Sequence, residues 1–90
     1  MAYISRTNGD IEQIPSSQKI DMEFANSVIP KGYVERVFPK RTPDVVFLCH
    51  EEGHIRQLPW NKEGWRLYGS PIAGDIIVMS RLEAKRNGWT

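Results

Sequence analysis

The sequence predicts an α+β domain: a mostly antiparallel β-sheet, with room to curl, and one short covering helix. Three observations carry that expectation. Short stretches rich in β-branched and aromatic residues recur at 2–6, 10–14, 33–38, 44–49, 54–58 and 76–79. Clusters of Gly, Pro and Asn separate them, which is how strands joined by tight turns read. Only 21–29 shows apolar residues at helical spacing over more than one turn, and a run of strands with a single amphipathic helix points to a sheet with one cover.

The elements run in order along the chain. Asn8-Gly9 readily takes the positive φ angles of a two-residue hairpin turn, so 2–6 and 10–14 read as paired strands. Pro15-Ser16-Ser17 breaks the second strand. Asp21 is placed to cap a helix in which Met22, Phe24, Ala25, Val28 and Ile29 form the apolar stripe, and Pro30 and Gly32 stop it. A helix of about nine residues is too short to stand by propensity and must be held by packing on the sheet. Tyr33–Phe38 reads as a strand closed by Pro39, and Lys40-Arg41-Thr42-Pro43 as a basic turn. Asp44–Cys49 is the most apolar strand and is assigned to the centre. Glu51-Glu52-Gly53 then returns the chain into 54–58 as a second hairpin. Residues 59–71 carry Pro and Gly at positions that argue against a helix along the whole stretch, so they read as a long aromatic loop. Ile76–Met79 is the last strand, and residues 82–86 beyond it read as a turn of helix.

Ninety residues suffice for one modest hydrophobic core but not for two, so residues 1–80 are expected as a single domain and 81–90 as a polar C-terminal tail. An apolar fraction of 40% and a charged fraction of 26% exclude the disordered and fibrous classes. Twelve Lys and Arg against eleven Asp and Glu leave a net charge of +1, which generates no bulk field toward duplex nucleic acid or an anionic membrane. Neither Val45–Cys49 nor Ile76–Met79 approaches the ~20 apolar residues of a membrane helix. The first residues lack a basic stretch followed by an apolar one, so the expected location is cytoplasmic. The single cysteine, Cys49, has no partner for a disulfide or a thiolate metal pair and reads as a small core hydrophobe.

Catalytic signatures are sparse. His50 and His54 lie four apart with Glu51 and Glu52 between them, a spacing that aligns two metal ligands only on a helix; at a hairpin tip the same residues are an ordinary polar turn. Gly69–Gly74 lacks the third glycine of a dinucleotide loop and the lysine of a Walker loop. No catalytic residue, metal or cofactor is assigned. The informative cluster is Arg56, Trp60, Lys62, Trp65, Arg66 and Tyr68. Flat aromatic faces stack on bases while cations meet phosphates; the same residue types dominate protein-binding hot spots, and they also seal the edges of small cores. Lys40-Arg41 and Lys85-Arg86 are local basic pairs, read as solvated surface.

Gly32-Tyr33-Val34-Glu35-Arg36-Val37, Val46 through Gly53 with its Cys-His-Glu-Glu-Gly turn, Leu58-Pro59 and Ala73-Gly74-Asp75 before an apolar strand together resemble a family of uncharacterised small domains spread among bacteriophages and mobile elements. The resemblance covers roughly residues 3 to 79 and implies no catalytic residues. Trp60 and the aromatics from Trp65 to Tyr68 depart from its pattern and are particular to this chain. By analogy with phage proteins of this size, it implies a non-enzymatic binding protein that counters host defence. The leading expectation is sequestration of a nucleotide-derived immune signal, with Trp60, Trp65 and Tyr68 stacking and Arg56, Lys62 and Arg66 on phosphates. So small a chain has little concave volume, so that reading also expects a homo-oligomer with pockets between subunits. The alternative is an inhibitor that binds a host enzyme or transcription component through the same aromatic surface.

Overall fold

The computed structural model describes residues 1–90. The expected first hairpin is present: β1 (Tyr3–Ser5) pairs antiparallel with β2 (Ile11–Gln13) in the register Tyr3–Gln13, Ile4–Glu12, Ser5–Ile11. Gly9 supplies the positive φ of 97° that the turn demands. Helix α1 (Met22–Ala25) is capped by the Asp21 side chain, which accepts from the Phe24 N–H at 2.9 Å. It is shorter than the sequence pattern suggests. After Ala25 the chain continues to Ile29 in tight turns, with the Val28 and Ile29 N–H groups both donating to the Ala25 carbonyl, so the apolar stripe is kept without a longer helix.

Strands β3 (Val34–Val37), β4 (Val45–His50) and β5 (Ile76–Ser80) complete one five-stranded antiparallel sheet of order β2-β1-β5-β4-β3. The sheet is open, with β2 and β3 at its edges. The middle position belongs to β5, the last strand in the chain, and β4 lies beside it. Period-two alternation sends Val46, Leu48, Ile77 and Met79 to one face and Phe47, Cys49, Ile76 and Val78 to the other. Both sets are buried, which explains why these two strands read as unbroken apolar runs. The first face is covered by α1 and by a second helix after β5; the second by a helix between β4 and β5.

Three sequence expectations are corrected here. First, residues 54–58 form turns and not a strand: both edges of β4 are already taken, by β3 and β5, so no ladder is open for a returning hairpin arm. Gly53 instead lies against Ala73, whose carbonyl oxygen would stand 2.8 Å from an added Cβ. Second, the aromatic loop contains helix α2 (Lys62–Tyr68), capped by Asn61 at its start and ended by Gly69 at φ 86°. Third, 81–90 is not a free polar tail and there is more than one helix. Helix α3 (Arg81–Arg86) starts from a capping box in which Ser80 and Glu83 exchange hydrogen bonds. Its Ala84 is fully buried, and Trp89 packs on the core with its indole N–H donating to the Ile20 carbonyl at 2.6 Å. No helix is long and apolar enough to cross a membrane.

Candidate functional site

The aromatic segment is anchored from below. Trp60 makes an isolated antiparallel bridge to Ala73, and Asn61, fully buried, locks α2 to two other elements. Its side-chain carbonyl accepts from the Gly64 N–H at 2.9 Å while its amide donates to the Ser5 and Gly74 carbonyls at 2.9 and 3.0 Å. Gly64 and Leu67 form the inward side of α2, Leu67 joining the Phe47 cluster and Gly64 sitting where a Cβ would meet Ile72. Helical spacing then sends Lys62, Trp65 and Arg66, at i, i+3 and i+4, to the outward side together.

On that outward side Trp60 and Trp65 meet edge to face, with ring centroids 6.2 Å apart at 66°. They remain 52% and 45% exposed, a large apolar area for a small domain to leave in water. His54 joins them, its ring 5.2 Å from Trp60 at 76°. The His54 Nε2 lies 2.9 Å from the Pro71 carbonyl; a carbonyl can only accept, so Nε2 is the donor in this contact. Tyr68 sets its ring edge-on against Phe47 at 6.2 Å. With His54, Glu35, Cys49 and Ser70 it lines a neighbouring open cleft of about 310 Å³.

The cations behave differently from the aromatics. Arg66 grips Glu63 through Nε and a terminal nitrogen, both at 2.8 Å, and the Tyr3 hydroxyl donates to the same carboxylate. The Arg66 hydrogen bonds, seconded by Tyr3, hold the Glu63 carboxyl below the usual carboxylate range although burial opposes them. Burial and the Glu63 contact push the Tyr3 hydroxyl up. Arg56 is not part of the cluster. It pairs with Glu52 at 3.1 Å, donates to the Tyr33 hydroxyl at 2.8 Å and lies 4.5 Å over the Tyr33 ring, and Tyr33 packs toward the opposite face of the sheet. Of the three cations expected to meet phosphate, only Lys62 has no ion-pair partner.

His54 and Asn61 belong to the site's construction, and the sequence alone does not assign them to it. Asn61 carries a readable signal, an N-cap residue type directly before Lys62-Glu63, masked by the opposing weight of Pro59 and Gly64. Ile55 is 81% exposed on the turn that carries His54. Cys49 is buried, and its thiol faces Glu35 at 3.7 Å. Burial first, then the Glu35 carboxylate, pushes that thiol up to about 12, which suits a core hydrophobe and not an attacking thiolate. His50 is stacked on Tyr33 at 4.9 Å, and its Nδ1 accepts from the Glu52 N–H at 3.0 Å, so the two histidines serve separate local contacts. No protein-family model, curated protein or solved structure matches the chain.

Proposed function

We propose that this is a phage-encoded, non-enzymatic binding protein that counters host defence by occupying a host protein through the Trp60–Trp65 face. The carrying observation is the pair of half-exposed tryptophans in mutual contact, Trp65 on a helix whose other side is fixed by Asn61 and Gly64 and Trp60 on the β-bridge just before it. Large, rigid aromatics held in place lose little conformational entropy on association and are the residue types on which interface energy concentrates. A host protein is favoured over a nucleotide because Arg66 is paired with Glu63 and Arg56 with Glu52; the neighbouring carboxylate offsets the charge that either arginine presents to a phosphate. Sequestration of a nucleotide-derived signal is the second reading, supported by Lys62, which stands unpaired one turn from Trp65 on the same side of α2.

Thermal unfolding followed by tryptophan fluorescence, against a panel of cyclic and linear nucleotides, separates the two. A ligand at 100 times its dissociation constant adds about 2.7 kcal/mol of stability, a shift of several degrees in a domain this small. The inhibitor reading expects no shift with any nucleotide and co-purification of a host protein that Trp65→Ala abolishes. A shift lost in Lys62→Ala and Trp65→Ala would instead establish the nucleotide reading.

A further inference from the structure

Three basic residues, Arg36, Arg81 and Lys85, lie away from Trp60 and Trp65 on the side of the sheet that carries α3. Strand alternation sends Arg36 and Phe38, beside the β3 edge, to the face that α3 covers, because Val34 packs into that layer and Val37 into the opposite one. The Arg36 guanidinium carbon lies 5.1 Å from the Phe38 ring centre and that of Arg81, the first residue of α3, 5.3 Å from it. Arg36 donates to the Trp89 carbonyl at 2.7 Å and Arg81 to the Pro43 carbonyl at 2.7 Å. Each guanidinium is thus held by one backbone acceptor and one ring, with its remaining N–H groups free. Lys85 follows Arg81 by four residues on α3 and shares its side.

No carboxylate neutralises this group. The five ion pairs of the molecule use Arg6, Arg56, Arg66 and the N-terminal ammonium; none involves Arg36, Arg81 or Lys85. Asp44 is nearby through its carbonyl, which accepts the Arg81 N–H at 2.9 Å, but its carboxylate makes no ion pair. Phe38 is 40% exposed at the centre of the cluster.

We propose that Arg36, Phe38, Arg81 and Lys85 form a binding site for the phosphodiester backbone of single-stranded nucleic acid. Two immobilised guanidinium forks with spare donors match phosphate oxygens, and the exposed part of Phe38 between them offers a base an apolar contact without demanding a sequence. The patch is compact and the molecule's net charge is only +1, so it lacks the long cationic track and the long-range field that duplex binding draws on. The site is independent of the tryptophan face.

Fluorescence anisotropy of a labelled oligothymidylate of about twelve nucleotides tests it, with the full chain at several salt concentrations. Three phosphate contacts on a single strand give a log–log salt slope near −2, so affinity should fall about twenty-fold between roughly 50 and 200 mM salt. Arg36→Gln, Arg81→Gln and Lys85→Gln should each weaken binding and each make the slope shallower by about 0.7. Phe38→Leu should weaken binding about five-fold or more while leaving the slope unchanged. Lys85 is exposed and holds no other element in place, so its substitution reads the site even where an arginine variant unfolds. Trp65→Ala should bind as the parent does. Absence of binding at low salt, equal affinity in Lys85→Gln, or equal loss in Trp65→Ala would overturn the site. Equal affinity for a duplex or for pyrophosphate alone would overturn the single-strand assignment.

Discussion

Asn61 shows how much one side chain can decide. It caps α2, ties the helix to β1 through the Ser5 carbonyl and to the approach of β5 through the Gly74 carbonyl, and does so at zero exposure. Asn61→Ala strands two buried carbonyls and an N–H. It should cost about 2–4 kcal/mol, combining the loss of a cap with that of buried partners, measured as a drop in urea midpoint at unchanged slope. Asn61→Asp should not rescue it, because a carboxylate offers those carbonyls no donor. Cys49 makes the opposite point. With its thiol pushed up to about 12 by burial and Glu35, it should resist alkylation at about pH 8 in the folded protein and react at the rate of a free thiol once urea unfolds the chain. Rapid native labelling would contradict the core role.

At the scale of elements, α2 is the piece least legible in the sequence, and the reason is physical. Gly64 sits mid-helix, where glycine costs about 1 kcal/mol relative to alanine, so local propensity argues against helix. What compensates is contact: the backbone at Gly64 approaches β5's lead-in so closely that a Cβ would stand 2.8 Å from Ile72 Cγ2 and 2.9 Å from Ile72 Cβ. Gly64→Ala should therefore destabilise the protein by about 1–3 kcal/mol through overpacking, despite its better helix propensity, and should disturb the Trp60–Trp65 contact, seen as a change in tryptophan emission. A stabilised variant would show that α2 has room to lift. The 54–58 segment misleads for the converse reason. Its composition tolerates a strand, but β4 has no free edge to receive one.

The whole molecule is three layers, with α1 and α3 on one face of the sheet and α2 on the other, and its termini are part of that assembly. Glu83 shows this. Burial raises its carboxyl, but the Ser80 backbone N–H and the N-terminal ammonium, 3.2 Å away, outweigh burial and hold it below the usual range. Glu63 is lowered by Arg66, and Glu12 by Arg6. All three carboxyls have depressed folded-state values, so the folded state binds fewer protons than the unfolded one in acid. Their contribution is complete above the ordinary carboxylate value of about 4.3 and is lost as pH falls through the depressed values. Thermal midpoints should hold from neutrality to about pH 5 and decline below about pH 4, with Glu63→Gln and Glu83→Gln each flattening the decline. A midpoint independent of pH in acid would remove these ion pairs from the account of stability.

Sequence alone determined the features whose causes are local. The Asn8-Gly9 hairpin follows from a glycine free to take positive φ, the start of α1 from the Asp21 cap, and strands β3, β4 and β5 from alternating or continuous runs of β-branched residues. Tertiary structure decided what depends on residues far apart in the chain. Insertion of β5 between β1 and β4 closes one edge of β4 while β3 holds the other, which leaves 54–58 no strand to pair with. Packing on Ile72 makes a helix of a glycine-containing segment, and Ala84 and Trp89 draw the last residues into the core. The candidate site divides in the same way. Its tryptophans were legible as unusual residues, but whether an arginine is free or already bound to a glutamate depends on which side chains the fold brings together. Arg56 and Arg66 were paired with Glu52 and Glu63, while Arg36 and Arg81, forty-five positions apart, were brought over one phenylalanine.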